Sequence, residues 1–126
     1  MGREHLVPLS HQAFAVLDQL GRKGEGLVFP GREGFGVLSQ TAMLMALRRV
    51  GYGGQQMVHG FRRLFSTVLN EAGWNRDWIE MQLAHAGGDE VRGAYNAAEY
   101  LDDRRRMTQA WGDVVRPGDV FVDMFR

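Results

Sequence analysis

The stretch HGFRRLFSTVLNEAGW, residues 59–74, has the clearest periodicity in the chain. Phe61, Leu64, Phe65, Val68 and Leu69 recur at i, i+3, i+4, i+7 and i+8, the spacing of one face of an α-helix. The pattern predicts a core-facing helix over about 60–72, ended by Gly73, which can turn the chain out of a helix. The same stretch opens with a different chemistry. His59 and Arg62 are three apart, so a helix places them on adjacent turns of one face. The planar guanidinium fork of Arg62 matches two oxygens of a phosphate.

Further helices read outward from this one. Ser10 can cap a helix over about 11–20 with Ala13, Val16, Leu17 and Leu20 on one stripe. Ser39 can cap a second, carrying Ala42, Met43, Ala46, Leu47 and Val50 and ended by Gly51, Gly53 and Gly54. Between them, residues 21–36 read as a loop with Leu27, Val28 and Phe29 as a buried anchor. Asn75 can cap a short helix bearing Trp78, Ile79 and Leu83. After the break at 86–88, Asp89 caps a helix that carries Tyr95 on its second turn. Helix continues over about 101–114, with Leu101, Met107 and Trp111 apolar and Arg104, Arg105 and Arg106 solvated, and stops near Pro117. Trp74, Trp78 and Trp111 are expected in the core. The expectation is a mainly α fold with at most a short strand near residues 4–7.

Composition narrows the possibilities without naming one. A chain of 126 residues is one domain or part of one. It has no cysteine, which excludes disulfides and Cys-based zinc sites. The lack of cysteine is compatible with the cytoplasmic location expected of the chain, and no apolar run approaches the roughly 18 residues of a membrane span. Net charge is zero, so composition alone does not suggest nucleic acid. The charge is unevenly placed, however: residues 1–63 hold eight basic and four acidic side chains, and residues 64–126 hold seven and eleven. The basic half ends at the HGFRR motif.

Two more residues complete a possible phosphate-transfer set. His85 follows IEMQLA, and Tyr95 lies ten residues beyond it in VRGAYN. A tyrosine hydroxyl is a covalent nucleophile once deprotonated, which near neutral pH costs about 4 kcal/mol without help. Cationic neighbours lower that cost, and a histidine can take the proton.

The order of these motifs resembles the tyrosine recombinases, above all prophage and satellite-phage integrases. REHLVPLS, HGFR, STVLNE, IEMQLAH, VRGAYN and RRRMTQAW, over residues 3–113, are similar to the C-terminal half of that family's catalytic core. The resemblance implies site-specific DNA integration or excision through a 3′-phosphotyrosyl intermediate, with no metal or nucleotide cofactor. It implies Tyr95 as nucleophile and Arg62 as the second active-site arginine. It assigns proton movement to His59 and donation to the scissile phosphate to His85. Arg63 is expected on the DNA backbone. The implied partners are double-stranded DNA attachment sites and other integrase protomers, in a tetramer on DNA.

The family's upstream arginine and its hairpin lysine have no counterpart here; Lys23 stands in the wrong context. The lysine's general-acid role is typically worth about 10²–10⁴-fold in rate. Residues 1–116 are therefore expected to be part of a longer catalytic domain, weak or inactive alone. The apolar tail, residues 117–126, packs either on its own domain or, as often in the resembled family, on a neighbouring protomer.

Each residue also has a plainer meaning. A tyrosine on an amphipathic helix is usually a core or rim residue, as expected of Tyr100. His85 could merely face a helix C-terminus, and His59 could merely neighbour an N-terminal cap. The alternative function is a non-catalytic helical DNA-binding or interaction module. A zinc site from His59, His85 and Asp89 has no recognised ligand spacing.

Overall fold

Short polar caps set where the helices begin. The structure, a computed structural model, describes residues 5–21, 25–32, 36–85 and 100–115. Five α-helices lie among them: α1 His11–Gln19, α2 Gln40–Arg49, α3 Val58–Glu71, α4 Arg76–Gln82 and α5 Leu101–Val115. Ser10 Oγ accepts from the Ala13 N–H at 3.1 Å, and Ser39 Oγ accepts from the Ala42 N–H at 3.1 Å. Asn75 Oδ1 accepts from the Asp77 N–H at 2.8 Å. Each satisfies a donor that a helix start leaves without an intrahelical partner. Gly73, at φ +83, ends α3, and the Trp74 N–H reaches back to the Leu69 carbonyl at 3.0 Å. The mainly α expectation holds. Residues 5–10 form no strand; the one β-bridge among the described residues is the isolated pair Pro30 and Val37.

The described residues divide into two compact units. The first comprises 5–15, 64–85 and 100–115, and it holds all the buried apolar side chains. Phe65 and Leu69 of α3, Ile79 of α4, Leu83 just beyond it and Met107 of α5 form the core. Trp74, Trp78 and Trp111 pack around them, partly buried as expected. Phe65 meets Trp111 edge to face, with centroids 5.4 Å apart and planes at 79°. Trp78 lies 6.4 Å from the ring of Tyr100. Full burial of one such apolar side chain contributes roughly 1.5–3 kcal/mol. The stripe on α3 is only partly realised: Phe65 and Leu69 are buried, whereas Phe61 and Leu64 are about half exposed. The core therefore lies against the last turns of α3.

Arg104 corrects the sequence reading. It was expected on a solvated face with Arg105 and Arg106, but its side chain is fully buried. Helical phase explains the difference. Residues 104, 107, 108 and 111 follow the 3.6 period, and Met107 and Thr108 are buried beside it. Arg105 and Arg106 rotate outward and pair with Asp102 and Asp103. Arg104 Nη2 donates to the Leu6 carbonyl at 2.6 Å, and Nε donates to Gln82 Oε1 at 3.0 Å. Its Nη1 has no partner among the described residues. Desolvation lowers the guanidinium pKa from its ordinary value. These bonds hold residues 5–9 without a strand partner.

The start of α1 is tied to α5 by amide side chains. Gln109 Oε1 accepts the His11 N–H at 2.9 Å. Its own amide donates to Gln12 Oε1 at 3.0 Å and Asp113 Oδ1 at 2.9 Å. Gly112 permits this approach: a Cβ there would lie 2.5 Å from Ser10 Cβ.

The second unit comprises 16–21, 25–32 and 36–63, and none of its residues is buried. The expected anchor of Leu27, Val28 and Phe29 is contradicted, since they are 52%, 42% and 54% exposed. They lie in an irregular segment, and no described residue of this unit is buried. On α2 the expected stripe is half-buried at Ala42, Met43 and Leu47.

Candidate functional site

The start of α3 presents the HGFRR motif. His59 and Arg62 stand on adjacent turns of this helix, and both are exposed, as is Arg63. Gly60 between them has a cramped Cβ position, 2.7 Å from Gln56 Oε1, the end of a flexible side chain. Exposed donors at this spacing can reach a phosphate on one side of the helix.

His85 belongs to the first unit, and its position follows from the way α4 ends. The Leu83 N–H bonds to the Ile79 carbonyl at 3.1 Å, and the Ala84 N–H bonds to the Met81 carbonyl at 3.0 Å. Ala84 then enters the left-handed region at φ +52. This turns the chain back, so that the His85 N–H donates to the Glu80 carbonyl at 3.0 Å. The imidazole follows: Nδ1 lies 2.7 Å from Glu80 Oε2. The His85 side chain remains 47% exposed. The dipole-facing position expected of an isolated histidine is thus only part of its setting.

The structure brings His59 and Arg62 together on one helix and places His85 on a separate turn after α4. Tyr95 lies outside the described residues, as do Asp89 and the tail at 117–126. Glu80 escaped the sequence reading because its partner is five residues away across a helix end, not three or four along a helix. His5 has Nε2 at 3.4 Å from the Gln82 carbonyl. Among the described residues no cluster of three His, Cys, Asp or Glu could hold a metal ion. No helix among them is long and apolar enough to cross a membrane. The shallow hollow lined by Pro8, Leu9, His11, Arg105, Arg106 and Gln109 contains none of the candidate residues.

His59 and Arg62 are thus exposed on α3, and His85 is held to a carboxylate after α4. The chain belongs to the phage integrase family, whose model matches residues 1–101. It is 44% identical over 113 residues to an integrase of Shigella phage Sf6, covering 86% of this chain and 29% of that protein. It is 49% identical over 116 residues to the prophage integrase IntZ of Escherichia coli K12, covering 90% of this chain and 29% of the relative. An integrase of Enterobacteria phage P4 is 42% identical over 120 residues, covering 90% and 27%. The chain therefore spans less than a third of the length of these relatives. No solved structure matches it significantly.

Proposed function

We propose that the chain acts within a longer tyrosine recombinase, in site-specific integration or excision of a mobile DNA element. The carrying observation is the exposed pair His59 and Arg62 at the start of α3, inside a family-matched segment. In this reading the Tyr95 hydroxyl attacks the scissile phosphorus, and His59 assists removal of its proton. The bond from phosphorus to the 5′-oxygen breaks. A 3′-phosphotyrosyl link and a free 5′-hydroxyl result, and attack by a 5′-hydroxyl reverses the step to religate the strand. Arg62 and His85 donate to the non-bridging oxygens, where charge gathers in the transition state. Arg63 contacts the DNA backbone.

The phosphotyrosyl link conserves the bond energy, so the reaction calls for no nucleotide. Its partners in this reading are double-stranded attachment sites and other integrase protomers, assembled as a tetramer on DNA in the bacterial cytoplasm. Residues 1–116 form part of the catalytic domain, and residues 117–126 pack in trans. Deleting 117–126 is expected to weaken self-association in sedimentation measurements; an unchanged state would place the tail in cis.

A nicked attachment-site substrate, which loses the attacking 5′ end after cleavage, tests the chemistry in the longer integrase. A covalent protein–DNA adduct is expected, and Tyr95→Phe should abolish it. An adduct that survives Tyr95→Phe refutes the nucleophile assignment. Salt-sensitive DNA binding with no adduct would favour the non-catalytic binding module.

A further inference from the structure

The contact between Glu80 and His85 is poorly explained as a stabilising ion pair. Both side chains are more than a third exposed, at 37% and 47%, and such pairs typically contribute only about 0–1 kcal/mol. The connection nevertheless uses two groups of His85. Its N–H is bound to the Glu80 backbone carbonyl and its Nδ1 to the Glu80 carboxylate. The turn that achieves this puts a non-glycine residue, Ala84, at positive φ, which costs roughly 1–2 kcal/mol. A conformation at that cost, fixing the direction of one exposed imidazole, points to a requirement on the imidazole.

We infer that Glu80 is a positioning residue that fixes the tautomer and orientation of His85, presenting Nε2 to the scissile phosphate. An ionised carboxylate can only accept, so the ring proton is held on Nδ1. Nε2 is then the one ring position that gains or loses a proton. In the imidazolium, Nδ1–H stays on Glu80 and Nε2–H is the donor to a non-bridging phosphate oxygen. The neutral ring offers Nε2 as an acceptor instead. Glu80 thereby confines phosphate donation by His85 to its protonated form. The inference rests on the recombinase reading for the ligand of Nε2, but not for the contact itself.

Nitrogen-15 NMR of the full chain, labelled in histidine, reads the tautomer without DNA. Above the histidine titration, His85 is expected to carry its proton on Nδ1. In Glu80→Ala it should move toward the Nε2–H form favoured by unconstrained imidazoles, while His59 remains unchanged. Glu80→Gln, whose side-chain carbonyl can still accept, should retain more of the Nδ1–H form than Glu80→Ala. A wild-type His85 protonated on Nε2, or a tautomer unmoved by Glu80→Ala, overturns the inference whatever DNA cleavage shows.

Cleavage of the nicked substrate by the longer integrase provides the functional arm. Glu80→Ala is expected to slow adduct formation about 10–100-fold, the scale seen when carboxylates orienting metal-bound imidazoles are removed. Slow cleavage by His85→Ala combined with a wild-type rate in Glu80→Ala overturns the inference. Wild-type cleavage by both variants, with Tyr95→Phe inactive, instead removes His85 from the reaction and leaves its measured tautomer standing.

Discussion

Gly112→Ala should destabilise the first unit, although replacing glycine by alanine inside a helix ordinarily helps. The ordinary gain is about 1 kcal/mol from helix propensity. Here the new Cβ would lie 2.5 Å from Ser10 Cβ, 2.6 Å from Ser10 Oγ and 2.6 Å from Gln12 Oε1. Favourable carbon–carbon separations are about 3.5–4.0 Å, so Ser10 Cβ must retreat by roughly 1 Å or more. Gln12 can swing aside, at the expense of its bonds with Gln109 and Asp113. Ser10 Cβ is attached directly to the backbone, so the start of α1 must move with it. Overpacking of this kind costs about 1–3 kcal/mol. Together with strained side-chain bonds, it should exceed the propensity gain and leave a net loss of about 1–2 kcal/mol.

Urea unfolding followed by far-ultraviolet circular dichroism supplies the measurement. Gly60→Ala is the contrasting substitution, since its closest obstacle is the movable end of Gln56, and it should be neutral or stabilising. Adding Ser10→Gly to Gly112→Ala should recover much of the loss, because glycine at an N-cap costs only a few tenths of a kcal/mol. If Gly112→Ala stabilises the chain by about the usual 1 kcal/mol, the close approach of residue 10 to α5 is refuted.

Other substitutions separate the remaining effects. Ala84→Gly should relieve the positive-φ strain and stabilise by about 0.5–1 kcal/mol after the greater entropy of unfolded glycine is deducted; a loss in urea unfolding would contradict this. Arg104→Ala should cost about 2–4 kcal/mol, while Arg104→Met should cost less by retaining volume and removing a desolvated charge. Both should speed amide exchange in residues 5–9, and unchanged exchange would deny that Arg104 holds that segment. Arg62→Lys in the longer integrase should slow adduct formation by about 10²-fold, since a point charge cannot replace a planar fork. An unchanged rate would remove Arg62 from the phosphate site.

Local chemistry was the most legible part of the fold. Ser10, Ser39 and Asn75 act on N–H groups two or three residues away, so their capping roles can be read from adjacent sequence. Gly73 likewise closes α3 within its own turn. Burial was less legible, because it depends on which helix faces are covered. The last turns of α3 pack in the core, while Phe61 and Leu64 with the same periodicity remain exposed. Arg104 was misread by grouping three adjacent arginines by charge, although its phase with Met107 and Trp111 marked it as inward. The HGFR and LAH motifs exposed the candidate chemistry, but not the connection of His85 to Glu80, which depends on an alanine adopting positive φ. Nothing in side-chain periodicity announces that turn.

The bond from Arg104 to the Leu6 carbonyl also bears on the order of folding. It joins positions 98 residues apart, and the amide bonds between the start of α1 and α5 span 97 to 101. Residues 5–15 cannot find these partners until α5 has been synthesised. At roughly 5–20 residues per second, the early segment waits several seconds or more during translation. Helices α3 and α4 can associate sooner through nearby contacts, whereas docking of the early segment must await a long loop closure. Truncation before α5 would therefore affect both ends of the sequence: it would remove the later helix and leave the earlier segment without its anchor.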